Sequence, residues 1–259
     1  MRELNAIAVI AYRDILKFLR DRPRLVSTLI FPFVFVGALG GSLQANLGES
    51  AGYNFMTFVF TGVFAQTLFQ SSTMGIVSLM SDRQTDFSQE MFVSPISRYS
   101  IVFGKILGES LVSLAQGVAI VIFGLLLRVP FTLAGSLSLI PVAIVICLMG
   151  GSFGLLLLAN VSDQRTVQQL FPFIMFPQFF LAGVFAPVKV LPWFLEVLSR
   201  ISPLRYAVDL ARNVFYLGNP DYDKVVLDPP VLNAAVMAGL FVVFILAGTT
   251  LFVRTERNR

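Results

Sequence analysis

The sequence predicts an all-α integral membrane protein. Six transmembrane helices are expected, with an N-terminal amphipathic interface helix and a re-entrant extracytoplasmic helical hairpin before the last span. Three observations carry that prediction. Of 259 residues, 56% are hydrophobic and only 13% charged, where a soluble domain carries about 25% charged residues. Apolar runs recur along the chain at close to the length of helix, about 20 residues, that a ~30 Å hydrocarbon core demands. Lys and Arg gather in alternate connections, the bias that sets topology. With lipid as the solvent, backbone polar groups must be satisfied inside helices.

Composition also excludes chemistry. A single Cys, Cys147, rules out a disulfide framework, and the absence of His removes the commonest metal ligand and general base. No metal site, catalytic residue or nucleic-acid partner is expected. The net charge of +4 reads as membrane orientation. No secretory signal is visible, since the first apolar run begins at Leu25 behind a charged segment.

Residues 2–22 read as a helix lying on the membrane surface, the alternative being a plain juxtamembrane tail. Leu4, Ile7, Ala8, Ala11, Ile15 and Leu19 form one stripe, and Arg13, Lys17, Arg20 and Arg24 lie on another face. Asp21 is spaced to pair with Lys17.

The expected spans are 25–43, 55–79, 102–127, 139–159, 170–186 and 231–253. The fifth is short and carries Pro172 and Pro177, which predict a kinked helix packed on protein. Gly104 with Gly108, and Gly150 with Gly154, permit close helix packing, although glycine is common in membrane helices anyway. With the N-terminus inside, the cytoplasmic side collects most of the cations, and the short outer loops hold only Arg128. Both termini are therefore placed inside.

The main polar island is the loop 82–98. Asp82, Asp86 and Glu90 share one helical face, followed by Met91, Phe92 and Val93 and a break at Ser94-Pro95. A short acidic helix with apolar residues at its end suits a groove on another protein; a solvated hairpin reads the same residues. Just inside the third span, Lys105 and Glu109 stand one turn apart and are expected to pair, because an unpaired charge there is costly.

The outer segment 187–230 reads as two short amphipathic helices joined at Pro203, dipping into the outer leaflet or resting on its surface. Trp193, Tyr206 and Tyr216 suit the interfacial belt. Arg205, Asp209 and Arg212 are spaced to pair with one another.

Buried polar groups fit either a substrate path or interhelical glue: Gln66 and Gln70 one turn apart, Gln116 and Gln178. Phe176 and Phe180 belong to a phenylalanine-rich fifth span that is either an aromatic substrate wall or a lipid-facing surface. No helix carries the mid-membrane acid of an ion-coupled carrier. Gly150-Gly151-Ser152-Phe153-Gly154 fits G-x-S-x-G and resembles the rhomboid intramembrane proteases, but their base is His, which is missing. A phosphate-binding loop is missing too: Gly104-Lys105 is followed by Ile106.

Over essentially its whole length the chain resembles the membrane subunit of type-2 ABC exporters. The resemblance rests on the basic N-terminal helix and on the loop from Asp82-Arg83, through Glu90-Met91-Phe92-Val93-Ser94-Pro95, to Gly104-Lys105. It also rests on Phe180 to Pro187, with Leu191-Pro192 and Pro203-Leu204-Arg205-Tyr206 beyond. The family pattern has Gly where this chain has Asp86, which leaves local geometry or partner contact there open. The resemblance implies a bacterial or archaeal cytoplasmic membrane permease exporting a lipophilic drug, lipid or glycolipid, or alternatively a polysaccharide. It implies two copies of an ABC ATP-binding subunit, which use ATP and Mg, and a second permease copy, giving a homodimer. This chain itself would bind no cofactor. Asp82, Arg83, Asp86, Glu90, Met91, Phe92 and Pro95 would form the coupling helix. Lys105 and Glu109 would lie at the cytoplasmic gate. Trp193, Arg205, Tyr206, Asp209 and Arg212 would form the outer gate.

Overall fold

The computed structural model describes residues 2–82, 97–159, 161 and 164–257, and every regular element among them is helical. The chain opens with α1 (Arg2–Arg20). Asp21 then accepts from the Arg24 amide at 3.1 Å, and Pro23 follows inside the first turn. That cap starts α2 (Arg22–Pro32), because its oxygen satisfies an orphan amide and proline has no amide to satisfy. The helix widens to a π-helical stretch (Phe33–Gly40) and runs on as α3 (Gly41–Ala51). It stops at Gly52, whose φ of 71° an L side chain resists.

The remaining helices are α4 (Phe55–Asp82), α5 (Arg98–Leu126), α6 (Leu133–Ala159), α7 (Gln164–Leu181), α8 (Trp193–Ile201), α9 (Pro203–Phe215), α10 (Tyr222–Val225) and α11 (Pro230–Arg257). Ser97 caps α5 by accepting from the Tyr99 amide. Pro203 sits in the first turn of α9. The α7 helix closes at Leu181, and the chain turns at Gly183 (φ 71°), short of residue 186.

Among the described residues, four stretches are long and apolar enough to cross a membrane: Arg22–Asn46, Tyr99–Leu126, Gly135–Ala159 and Tyr222–Leu251. The α4 helix is diluted by Thr57, Thr61, Gln66, Thr67, Gln70 and Thr73, yet it is the centre of the bundle, with α5, α6 and α9 packed on it. A helix walled by protein has little need for an apolar perimeter. Phe58, Phe60, Val63, Leu68 and Phe69 on α4 are fully buried in the main core, together with residues of α6 and α9.

Glycines set the spacing. A Cβ at Gly150 would lie 2.5 Å from the Phe69 carbonyl oxygen, and one at Gly154 2.4 Å from that of Thr73. The α4 and α6 backbones therefore touch, an approach that only small residues permit. Thr73 and Ser72 stitch the same seam, donating to the carbonyls of Gly150 (2.9 Å) and Cys147 (2.6 Å).

Candidate functional site

At the inner end, α1 packs on α5 with a face that shares only part of its apolar stripe. It buries Ile10, Ala11, Asp14 and Phe18 against α5, while Leu4, Ala8 and Leu19 stay exposed. The physical reason lies in the partner surface. Gly104 and Gly108 leave a trough in α5, where a Cβ would come within 3.2 Å of the Ile7 Cα and 3.0 Å of the Ala11 Cα. The face that fits this trough includes an acid, and α5 supplies its counter-charge. Lys105 Nζ lies 2.9 Å from Asp14 Oδ2 and 3.0 Å from Glu109 Oε1, and all three side chains are at most 3% exposed. Arg13 bonds to Asp14 at 2.9 Å, Arg24 stands 3.8 Å from Glu109, and Ser78 of α4 donates to Glu109 at 3.3 Å. Four helices thus meet in one ionic knot. Glu109 fits only because position 75 is glycine: a Cβ there would be 2.1 Å from its Oε2.

Asp82 ends α4, leading directly toward the acidic loop. Arg83, Asp86, Glu90, Met91, Phe92 and Pro95 lie outside the described residues.

In the middle of the bundle, Gln66 donates to Gln70 at 2.7 Å. Phe176 and Phe180 form a separate pair, ring centroids 5.5 Å apart, on the exposed face of α7. Ser152 is fully buried and spends its hydroxyl proton on the Met149 carbonyl at 2.8 Å. The G-x-S-x-G run is therefore a packing seam between α6 and α4.

On the outer side, α9 is buried along nearly its whole length. Its three charged residues do not pair with one another, contrary to their spacing. Arg205 reaches Asp228 at 3.0 Å and Ser199 at 3.3 Å. Asp209 accepts from the Leu227 and Asp228 amides (2.8 and 2.9 Å) and from Asn233 (2.7 Å). It thereby caps the chain entering α11. Arg212 lies 3.7 Å over the Phe58 ring and donates to the carbonyls of Gly183 (2.7 Å) and Phe58 (3.4 Å). Burial outweighs the local spacing here: each group meets the orphan backbone atoms and cross-helix partners that desolvation makes valuable. Burial pulls the Arg212 guanidinium down to about 10. It pushes the Asp209 carboxyl up, against the hydrogen bonds from Asn233 and the two amides.

Tyr206 donates to the Arg200 carbonyl at 2.7 Å, and Trp193 is exposed beside Phe194. Lys189 donates to the Asp223 carbonyl at 2.7 Å, and Lys224 donates to that of Gly52. These bonds tie the hairpin to itself and to the end of α3.

Sequence reasoning missed Asp14, Phe58, Asp228 and Asn233. The Asp228-Pro229-Pro230 run before the last apolar span carried a helix-start signal. Nothing local pointed to Asp14 or Phe58.

Known proteins are similar to this chain in sequence. The ABC-2 type transporter family matches residues 5–216. The putative transport permease ycf38 of Cyanophora paradoxa is 25% identical over 206 residues, 76% of this chain and 70% of that one. The inner membrane transport permease YadH of Escherichia coli (strain K12) is 27% identical over 226 residues, 86% of this chain and 81% of that one. The probable multidrug ABC transporter permease YbhR of the same organism is 29% identical over 154 residues. That alignment takes in 56% of this chain but only 40% of YbhR.

Proposed function

Since the chain belongs to the ABC-2 type transporter family, as a transmembrane permease subunit, we propose that it exports a lipophilic drug, lipid or glycolipid across the cytoplasmic membrane. The family is one of membrane permeases rather than enzymes, and it implies a separate ABC ATP-binding partner. In the proposed complex two permeases face each other, each with one ATP-binding subunit, and both termini lie in the cytoplasm. ATP and Mg act in the partner. All six long apolar segments span the bilayer, α4 shielded by its neighbours, and the α8–α9 hairpin re-enters the outer leaflet as the exit gate.

The observation that carries this reading is the buried knot of Asp14, Lys105 and Glu109. It fastens α1 to α5 close beside the segment that enters α5 from the acidic loop. A push on that loop therefore cannot be absorbed by α1 sliding on α5. The three elements move as one body, the rigid-body transmission that ATP-driven closure requires. In the loop itself, Asp82, Arg83, Asp86 and Glu90 supply polar contacts to the ATP-binding subunit, and Met91 and Phe92 the apolar anchors.

Glu90→Arg combined with Met91→Ala tests the reading. Copurification of the ATP-binding subunit and ATP-driven efflux should both be lost. Intact association and efflux would remove the assignment.

A further inference from the structure

A cavity of about 300 Å³ opens between α2, α4 and α5, at the level where Arg24 begins the first long helix. Its size is that of a small-molecule pocket at the lower end of the range. One part of its wall is polar and unspent. Thr67 is 8% exposed, and its hydroxyl has no hydrogen-bond partner among the described residues. Gln116 is 3% exposed and lines the same space. Gln70 has its carbonyl oxygen occupied by Gln66, so its two amide hydrogens remain for the cavity. Arg24 brings a guanidinium that stands 3.8 Å from Glu109, beyond hydrogen-bond distance. Phe31, Pro32 and Met74 add apolar surface, and Ser27, Thr28 and Ser71 complete the lining.

Leaving such groups unsatisfied in a membrane protein costs free energy, so their arrangement points to something that satisfies them. The Arg24 guanidinium and the Gln70 amide present donors to the cavity, and the charge on Arg24 favours an oxyanion over a neutral hydroxyl-rich group.

We propose that this cavity receives the anionic oxyacid headgroup of a single amphiphile, entering from the inner leaflet, with its apolar tail along Phe31, Pro32 and Met74. Arg24 pairs with the oxyanion, and Gln116, Gln70 and Thr67 donate to its oxygens. This rests on the permease reading, and it narrows the cargo to lipids or lipophilic molecules that carry phosphate, sulfonate or carboxylate.

The test uses the purified chain without its ATP-binding subunit, so its outcome is independent of whether that subunit associates. Retention of dioleoylphosphatidic acid and of dioleoylglycerol, which has the same tails and no phosphate, is measured by native mass spectrometry. The wild type should prefer the phosphate-bearing lipid by about tenfold or more, the scale of one charge-assisted contact. Arg24→Gln and Gln116→Leu should each remove most of that preference, while Val118→Leu on the far side of α5 leaves it unchanged. Should Gln116→Leu fail to fold, Gln70→Leu at a half-buried position addresses the same wall. Equal retention of the two lipids, or a preference that survives both Arg24→Gln and the glutamine variant, overturns the proposal. So does displacement of the lipid by an equal concentration of inorganic phosphate, since a bare anion would then suffice.

Discussion

Replacing Lys105 with Met keeps the length and apolar body of the side chain and deletes only its charge. The residue is 3% exposed and lies 2.9 and 3.0 Å from two carboxylates that are equally buried. Breaking a buried pair costs about 3–5 kcal/mol, because the surviving charge is stranded. Here two charges are stranded, but Arg13 remains 2.9 Å from Asp14 and Arg24 3.8 Å from Glu109. The lower end, about 3 kcal/mol, is therefore expected. For a chain of this length that corresponds to a melting point lower by about 6–12 °C. Fluorescence-detected size-exclusion chromatography after heating, in a single detergent, reads it. Adding Asp14→Asn and Glu109→Gln to Lys105→Met should recover most of the loss, since no fully buried charge is then left, Arg13 and Arg24 being part-exposed to water. If Lys105→Met alone melts like the wild type, the knot does not fasten α1 to α5, and the transmission argument loses its footing.

Other outcomes follow from the same geometry. Arg212→Lys gives up the planar stack on Phe58 and one of two carbonyl contacts, and should cost about 2 kcal/mol in the same melting assay. Asp209→Ala strands two amides and the Asn233 donor, and should destabilise by roughly 3 kcal/mol and expose the α9–α11 connection to protease. Gly150→Leu must push α4 from α6, and is expected to abolish folded expression, whereas Gly239→Ala, with open space around it, should express normally. Ser152→Ala should leave transport intact, and the wild type should not label with a fluorophosphonate probe; labelling that Ser152→Ala removes would revive a nucleophilic role.

What the sequence disclosed was whatever local spacing governs. Lys105 and Glu109 are four residues apart on one helix, so their contact is written into the chain. The glycine pairs at 104 and 108 and at 150 and 154 announced close approach, but not which helix would approach. Asp14 lies 91 positions from Lys105, and its role exists only once α1 has settled into the glycine trough. The amphipathic pattern of α1 does not single out the face that meets α5, for a related reason. The helix has two neighbouring apolar surfaces, and the buried one was chosen by fit to α5 rather than by hydrophobicity. Likewise Arg205, Asp209 and Arg212 satisfy a helical pairing rule on paper. In the fold they turn to Asp228, to backbone amides and to backbone carbonyls, because desolvated main-chain groups compete more strongly than a neighbour one turn away. The dilution of α4 by Thr and Gln also hid its position. Central helices of a bundle are shielded from lipid by protein, so hydropathy understates them.

The central claim is that force enters through the acidic loop on the inner surface, from a separate ATP-binding subunit. The one native cysteine, Cys147, is buried, so Cys147→Ser with Met91→Cys offers a single reporter in that loop. The account predicts that the thiol introduced by Met91→Cys cross-links to the ATP-binding subunit in membranes and stays unmodified by an impermeant maleimide added outside intact cells. Modification from outside, with no cross-link formed, would contradict it.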